Sequence, residues 1–327
     1  MIATKRLSIP LLLGAMLVSA ACGGTGGNLG SVPPISPTPS PSVDPGPDLT
    51  PEPSATPSEE PSTGPSGGPS ATPAPTATAS PAETMIVRAY FILGGAPGVE
   101  GLVPTLAEAP KAPAVAGAAM AALLDGVPGG DRYASISSAI PAGTELLGLT
   151  IKNGVATVDL STEFDSGGGS ASMQYRLAQV VYTLTQFSTV KSVVFQIDGQ
   201  TVTVFGSEGI VLDGPVDRSD FTDQLPSMFV DRPAFGAAFA SSGHVTGAAN
   251  VFEAQFRVAI LDATGKVLAD ESVMATCGTG CWGTFDVTVS YAVSKAQWGT
   301  LRVYDPSEMD GSPTDTRDYP VWLTPKG

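Results

Sequence analysis

Residues 145–160 read Glu145-Leu146-Leu147-Gly148-Leu149-Thr150-Ile151-Lys152-Asn153-Gly154-Val155-Ala156-Thr157-Val158-Asp159-Leu160. Two apolar-rich runs flank Asn-Gly, the pair that most readily supplies two consecutive positive φ angles, so the stretch predicts a two-residue hairpin with antiparallel strands over 145–151 and 155–160. Immediately downstream, Gly167-Gly168-Gly169 opens a helix over about 172–186. There Met173, Leu177, Val180, Val181 and Leu184 recur at spacings of three and four and so share one face. A further strand pair, 193–197 and 201–205, brackets Asp198-Gly199.

Upstream, Met85–Leu93 is a strand candidate, followed by an irregular stretch with Gly94, Gly95, Pro97 and Gly98. Pro113 suits the first turn of a helix to about Leu124, which Gly126 and Pro128 stop. Helices and hairpins in this order predict an α/β body with helices packed on a mainly antiparallel sheet, over residues 83–213.

Residues 232–325 are strand-rich and lack a helical pattern. Phe252, Ala254, Phe256, Val258 and Ile260 alternate, and runs over 267–272, 284–290 and 300–304 repeat the habit. About seven short strands separated by turn residues predict a β-sandwich, with Trp282, Trp298 and Trp322 at its core or rim. The segment 214–231, crowded with Asp217, Arg218, Asp220 and Asp223, reads as an acidic connector that leaves each body its own core.

The N-terminal end has a different character. Lys5 and Arg6 precede an apolar run from Leu7 to Val18, too short to span a bilayer stably, and Ser19-Ala20-Ala21-Cys22 follows. This order resembles a bacterial lipoprotein signal over residues 1–21, with Ser19 where such signals usually carry an aliphatic residue, and implies lipid attachment at Cys22. From Ser31 to Ala82 there are 16 prolines, five acids and no basic residue. Such a segment buries too little apolar surface to offset the entropy of ordering, so residues 22–82 are expected to be a disordered tether. Extended at about 3.1 Å per residue it would reach roughly 190 Å. The expected location is extracytoplasmic, anchored to the cell membrane.

Only Cys277 and Cys281 remain beyond Cys22, and in an exported chain a close pair favours a disulfide over a redox pair or a metal site. A formal net charge of -15 disfavours nucleic acid and anionic lipid headgroups as partners, so membrane lipid would be held through Cys22 alone.

Catalytic patterns are weak. Ser188-Thr189-Val190-Lys191 has serine-x-x-lysine spacing without the companion motifs, and Gly167–Gly169 lacks the lysine of a phosphate loop. Acids cluster at Asp159, Glu163 and Asp165, and at Asp305, Glu308 and Asp310. Two carboxylates can cleave glycosides, and the second loop offers oxygen ligands for calcium, but solvated turn residues are the commoner outcome. His244 is the single histidine, which leaves acyl-transfer chemistry without its usual base. No catalytic residue, metal site or cofactor is expected.

Several ordered segments carry a family resemblance. Ile140–Thr144, Asn153–Ser161, Arg176–Leu184 and Phe195–Gly199 resemble the GerMN domain of sporulation and germination lipoproteins. Ser242–Ala249 with Val251–Ala254, Gly283-Thr284-Phe285 and Ser307–Ser312 resemble the accompanying Gmad2 immunoglobulin-like domain. The resemblance implies a non-enzymatic envelope module that binds another envelope protein. Direct binding of peptidoglycan or another wall glycan is the alternative, and a wall hydrolase is a more distant one. The expected binding surface is a groove beside the second helix, with Tyr175, Arg176, Gln179 and Tyr182 exposed in it.

Overall fold

The computed structural model describes residues 83–94, 100–112 and 114–325, all within one compact unit, Ala74–Gly327. Cys22 and the segments expected to be a signal and a tether lie outside the described residues. Among the described residues no helix is long and apolar enough to cross a membrane.

The first body runs β1 (Thr84–Leu93), β2 (Gly101–Pro110), α1 (Val115–Leu124), β3 (Ile136–Ser137), β4 (Leu146–Lys152), β5 (Val155–Leu160), α2 (Ser170–Thr185), β6 (Ser192–Ile197), β7 (Gln200–Thr201), β8 (Val204–Phe205) and β9 (Ile210–Val211). The β4–β5 hairpin forms as the sequence predicts, with Asn153 and Gly154 at φ 51° and 85°. The sheet order is β4-β5-β6-β7, and β5 and β6 are parallel because α2 carries the chain between them as a crossover. A second sheet, β2-β1-β3, is antiparallel throughout. Its strand β1 is apolar on both faces because α1 covers Val87 and Ala89 while the Tyr90 ring packs on Tyr182 and Phe229.

Strand β2 replaces much of the irregular stretch expected before α1. Pro104 has no N–H to give a ladder, yet β2 is an edge strand and Pro104 lies where the backbone turns outward. On that outer side the Pro104 carbonyl accepts from Phe235 N at 2.7 Å.

The second body comprises β10 (Met228–Arg232), β11 (Ala238–Ala240), β12 (Gly243–Ala249), β13 (Gln255–Asp262), β14 (Val267–Met274), β15 (Gly283–Val289), β16 (Gln297–Pro306) and β17 (Pro313–Thr324). They form a three-stranded sheet, β10-β12-β15, and a five-stranded sheet, β11-β17-β16-β13-β14. Phe256, Val258, Ile260, Phe285, Leu301, Val303 and Tyr319 are among the residues that fill the space between them. Trp298 and Trp322 pack edge to face at 5.1 Å, both half-buried at the rim rather than in the core.

Separate cores were expected and are not found. One contiguous apolar cluster runs from Phe91, Leu177 and Tyr182 through Phe221 and Phe229 into Val245 and Phe256. The reason lies in the 214–231 segment. Its acids cap its own turn, with Asp217 Oδ1 accepting from Ser219 N and Asp220 Oδ2 from Asp217 N. That leaves Phe221, Pro226, Met228 and Phe229 free to be buried. Further along, Phe235 pairs with the open edge of β2, and the Arg132 guanidinium stacks 3.6 Å above Trp298.

Cys277 and Cys281 are joined in the loop that passes from β14 in one sheet to β15 in the other. Gly283 has no side chain to spare there: a Cβ would meet the Cys277 backbone at 2.2 Å. Closing so short a ring stabilises by about 2 kcal/mol. Replacing both cysteines with serine should therefore lower the unfolding midpoint. Because the core is continuous, the loss should appear in one transition of the whole head, and a calorimetric trace in which only the second half shifts would contradict this.

Candidate functional site

The expected surface beside α2 needs correction. Arg176 is 2% exposed, Gln179 0% and Tyr182 2%; Tyr175 alone of the four keeps partial access. Helix α2 is central, with polar side chains on the face opposite its aliphatic stripe spent on backbone. Gln179 Nε2 donates to Tyr90 O at 3.0 Å while its Oε1 accepts from Ala139 N at 2.8 Å, and Tyr90 N donates to Thr183 Oγ1 at 3.0 Å. Strand β3 pairs with β1 only at Ile92 and Leu93, so these side chains continue the ladder where β3 stops. Arg176 donates to the carbonyls of Ala139, Phe164, Ser166 and Gly167.

Seven residues separate Tyr175 from Tyr182, two turns along one side of α2. Two cavities flank the 214–231 segment there, with Leu225 lining both. The larger, ≈ 840 Å³, lies at the Tyr182 end. Its floor is Tyr182, Arg218 and Phe229, and one wall is the outer face of the three-stranded sheet, with Thr246, Ala248, Thr284 and Asp286. The rim carries Met274, 68% exposed, with Thr276 and Trp282, which flank the disulfide ring. His244 sits on the same sheet face, its Nδ1 2.7 Å from Asp286 Oδ1, and is solvent-exposed.

A charged cluster holds the cleft floor. Arg218 Nε donates to Thr185 Oγ1 at 2.9 Å, its Nη2 to Tyr90 Oη at 3.1 Å, and its plane lies 4.5 Å from the Tyr182 ring centre. Asp231 answers it at 3.5 Å, accepts from the Tyr90 hydroxyl, and pairs with Arg88 at 3.5 Å. Asp231 reaches this position because a bulge in β10, between Val230 and Arg232, re-aims it. Sequence reasoning missed Arg218 and Asp231. The isolated arginine among acids was the available signal.

Burial, with Asp231 beside it, pushes the Tyr90 phenol well above its ordinary value; burial raises Tyr182 as well, against the pull of Arg218. Burial likewise pushes Tyr319 up to about 12. The folded state keeps these protons where the unfolded chain releases them, so stability is full below pH about 10 and falls above it. Each tyrosine contributes a slope of about 1.4 kcal/mol per pH unit in that window. Tyr182→Phe should flatten the decline of the urea midpoint between pH about 10 and 11.5; an unchanged slope would contradict this assignment.

The acid clusters have structural employment. Asp159 Oδ1 accepts from Gly199 N, and Asp310 Oδ1 accepts from Ser312 N and Oγ. Desolvation, then Asp315 and Glu308, raises the Asp305 carboxyl. Among the described residues no group of three or more histidines, cysteines or acids is placed to hold a metal ion.

Comparison with known proteins agrees with this architecture. Residues 88–203 match the Germane family model, described as sporulation and spore germination, and residues 227–312 match Gmad2, the immunoglobulin-like domain of bacterial spore germination. No curated protein matches the chain. Among solved structures, the first GerMN domain of the sporulation protein GerM from Bacillus subtilis is 25% identical, covering 42% of this chain and 99% of that one at a TM-score of 0.35. The tandem GerMN domains of the same protein are 18% identical, covering 64% and 62% at 0.37. The chain thus carries a GerMN-like domain followed by a Gmad2 immunoglobulin-like domain.

Proposed function

We propose that this protein is a cell-envelope lipoprotein, held to the membrane through acyl chains on Cys22, whose two-domain head binds another envelope protein in a sporulation- or germination-type assembly. The observation that carries the reading is the ≈ 840 Å³ cleft shared by the two domains. Its exposed Met274 and half-buried Trp282 offer apolar contact, and Thr246, Thr276 and Thr284 ring them with hydroxyls. Exposed apolar side chains set among hydroxyls are what a partner segment can pack against. The half-buried Arg218–Asp231 pair holds the floor in place, so little ordering cost falls on binding.

A photo-crosslinking residue placed at Met274 in live cells, with mass spectrometry of the captured species, tests this reading. A reproducible envelope protein that is lost when the probe moves to the opposite sheet is expected. Capture of no reproducible protein neighbour would sink it.

Trp282 and Asp286 in one cleft also suit a sugar face and its hydroxyls, which keeps wall glycan as the second reading. Pelleting with insoluble sacculi at low and moderate salt separates the two. A head that stays in the supernatant does not bind wall directly.

A further inference from the structure

Strand β4 closes one side of the sheet β4-β5-β6-β7, and its outer edge is open. Apart from the ladder to β5, no hydrogen bond reaches the backbone of Leu146–Lys152 among the described residues. In the two-residue hairpin Lys152 and Val155 face each other across the turn and exchange both backbone bonds, and alternate residues follow the same pattern. Thr150 therefore spends its N–H and C=O on β5, whereas Leu149 and Ile151 present theirs outward.

The side chains along this edge are apolar as well. Leu149 and Ile151 pair with Val158 and Ala156, both fully buried, and so point to the core side of the sheet. Yet Ile151 is 38% exposed, Leu149 is only half-buried, and Leu147, at a bulge, is 49% exposed. Among the described residues the core layer thus ends at β4 without a cover. Sheet edges are commonly guarded by proline, by charge or by a bulge. The bulge here lies upstream of Gly148, and Gly148–Ile151 carries neither proline nor charge.

The segment Gly148-Leu149-Thr150-Ile151-Lys152 is complementary to itself. Laid antiparallel on a second copy about a two-fold axis through Thr150, Leu149 of one copy meets Ile151 of the other. Free backbone then faces free backbone, and aliphatic faces aliphatic. On the sheet face away from the core, Lys152 stands opposite Gly148 of the other copy, and Gly148 in turn is opposite Asp159 in the same row. No side chain intervenes: a Cβ on Gly148 would stand 3.6 Å from the Asp159 Cβ. Asp159 commits Oδ1 to Gly199 N at 2.9 Å, and Lys152 forms no ion pair among the described residues. We propose that β4 is the interface of a two-fold homodimer, in which the two sheets join into one and Lys152 of each copy pairs with Asp159 of the other across Gly148. The inference is independent of the partner-protein reading, because no residue of β4 lines the cleft.

The test is oxidative crosslinking of the purified full-length protein, read as covalent dimer on a non-reducing gel. In this register the two Thr150 residues form a non-hydrogen-bonded pair with Cα atoms about 4.5 Å apart, a separation that a disulfide spans. Thr150→Cys should therefore dimerise about tenfold or more faster than Gln200→Cys on the opposite edge strand β7, with the unsubstituted protein giving the background. Adding Ile151→Lys to Thr150→Cys should slow the reaction about tenfold, because a charge is then forced into the aliphatic pair. Adding Lys152→Glu, which sets two carboxylates against each other, should slow it as well, and Asp159→Lys in that same chain should restore most of the rate. Equal rates at Thr150→Cys and Gln200→Cys would overturn the proposal. So would a Thr150→Cys rate that Ile151→Lys leaves unchanged, or a charge exchange that restores nothing.

Discussion

Replacing Arg176 with methionine should cost the head about 3–5 kcal/mol, a large share of the stability of an ordinary domain. The side chain lies inside, 2% exposed, with its Nε on Ala139 O at 3.3 Å and its two terminal nitrogens on the carbonyls of Phe164, Ser166 and Gly167. Methionine has similar length and no donor. Four carbonyls would lose their partner at once, and those beyond the reach of water each cost about 1–3 kcal/mol. Three of these carbonyls, Phe164, Ser166 and Gly167, belong to the turn that leads into α2, and the fourth, Ala139, ties that turn to the segment between β3 and β4. Gly168, at φ 87°, lies so near that a Cβ would stand 3.1 Å from Arg176 Nη2. Lysine at this position keeps the charge but cannot span four acceptors, so Arg176→Lys should recover less than half of the loss. Urea denaturation measures both. A methionine variant within about 1 kcal/mol of the parent would show that the carbonyls are satisfied by other means.

Arg176 also shows where the sequence could be read and where it could not. The aliphatic stripe of α2 was legible because period 3.6 survives in any helix with a buried side. The opposite side was read as exposed because it carries Tyr175, Arg176, Gln179 and Tyr182, and polarity normally reports water. Here it reports backbone. The Tyr90 amide and carbonyl have no strand partner beyond β3, and Gln179 and Thr183, four residues apart, supply one each. Nothing in the spacing of these residues distinguishes a solvated stripe from one that completes a sheet.

The Asn153-Gly154 hairpin was fully legible, since its turn is decided by two residues and the φ angles they tolerate. Strand β2 was not: it follows the glycines and proline of 94–98 and contains Pro104 and Pro110, and proline is harmless in a strand only when the edge it faces is known. The parallel pairing of β5 with β6 was not singled out: two strands separated by a helix fix a crossover, but the neighbouring hairpins on either side pointed to a mainly antiparallel sheet. At the candidate site, Tyr175 lines the smaller cavity and Tyr182 the floor of the larger one. The cleft itself needed β12, β15 and the disulfide loop, which lie some 60–110 residues further along the chain, and no local pattern brings residues so distant together.

The acidic segment between the domains misled for an electrostatic reason. Composition alone makes 214–231 a solvated linker, yet Asp217 and Asp220 neutralise turn donors, and the one arginine is drawn inward to Asp231. That pair decides whether the two domains behave as one body. In Asp231→Ala, the Arg88 and Arg218 guanidinium groups lose their carboxylate, and the Tyr90 hydroxyl loses its acceptor. Removing one member of a buried charge group costs about 3–5 kcal/mol. Partial exposure of Arg218 and Asp231, 32% and 22% at the side chain, reduces this to about 2–3 kcal/mol through solvent screening. Because Phe221 and Phe229 belong to the same core cluster as Leu177 and Phe256, the loss should lower a single transition of the whole head. A cycle with Arg218→Ala should return a coupling of about 1 kcal/mol or more, since the two residues touch. Calorimetry and urea unfolding of the four proteins give the answer. Two transitions, of which only the second-domain one moves, would mean that each domain keeps its own core and that the Arg218–Asp231 contact merely rests between them.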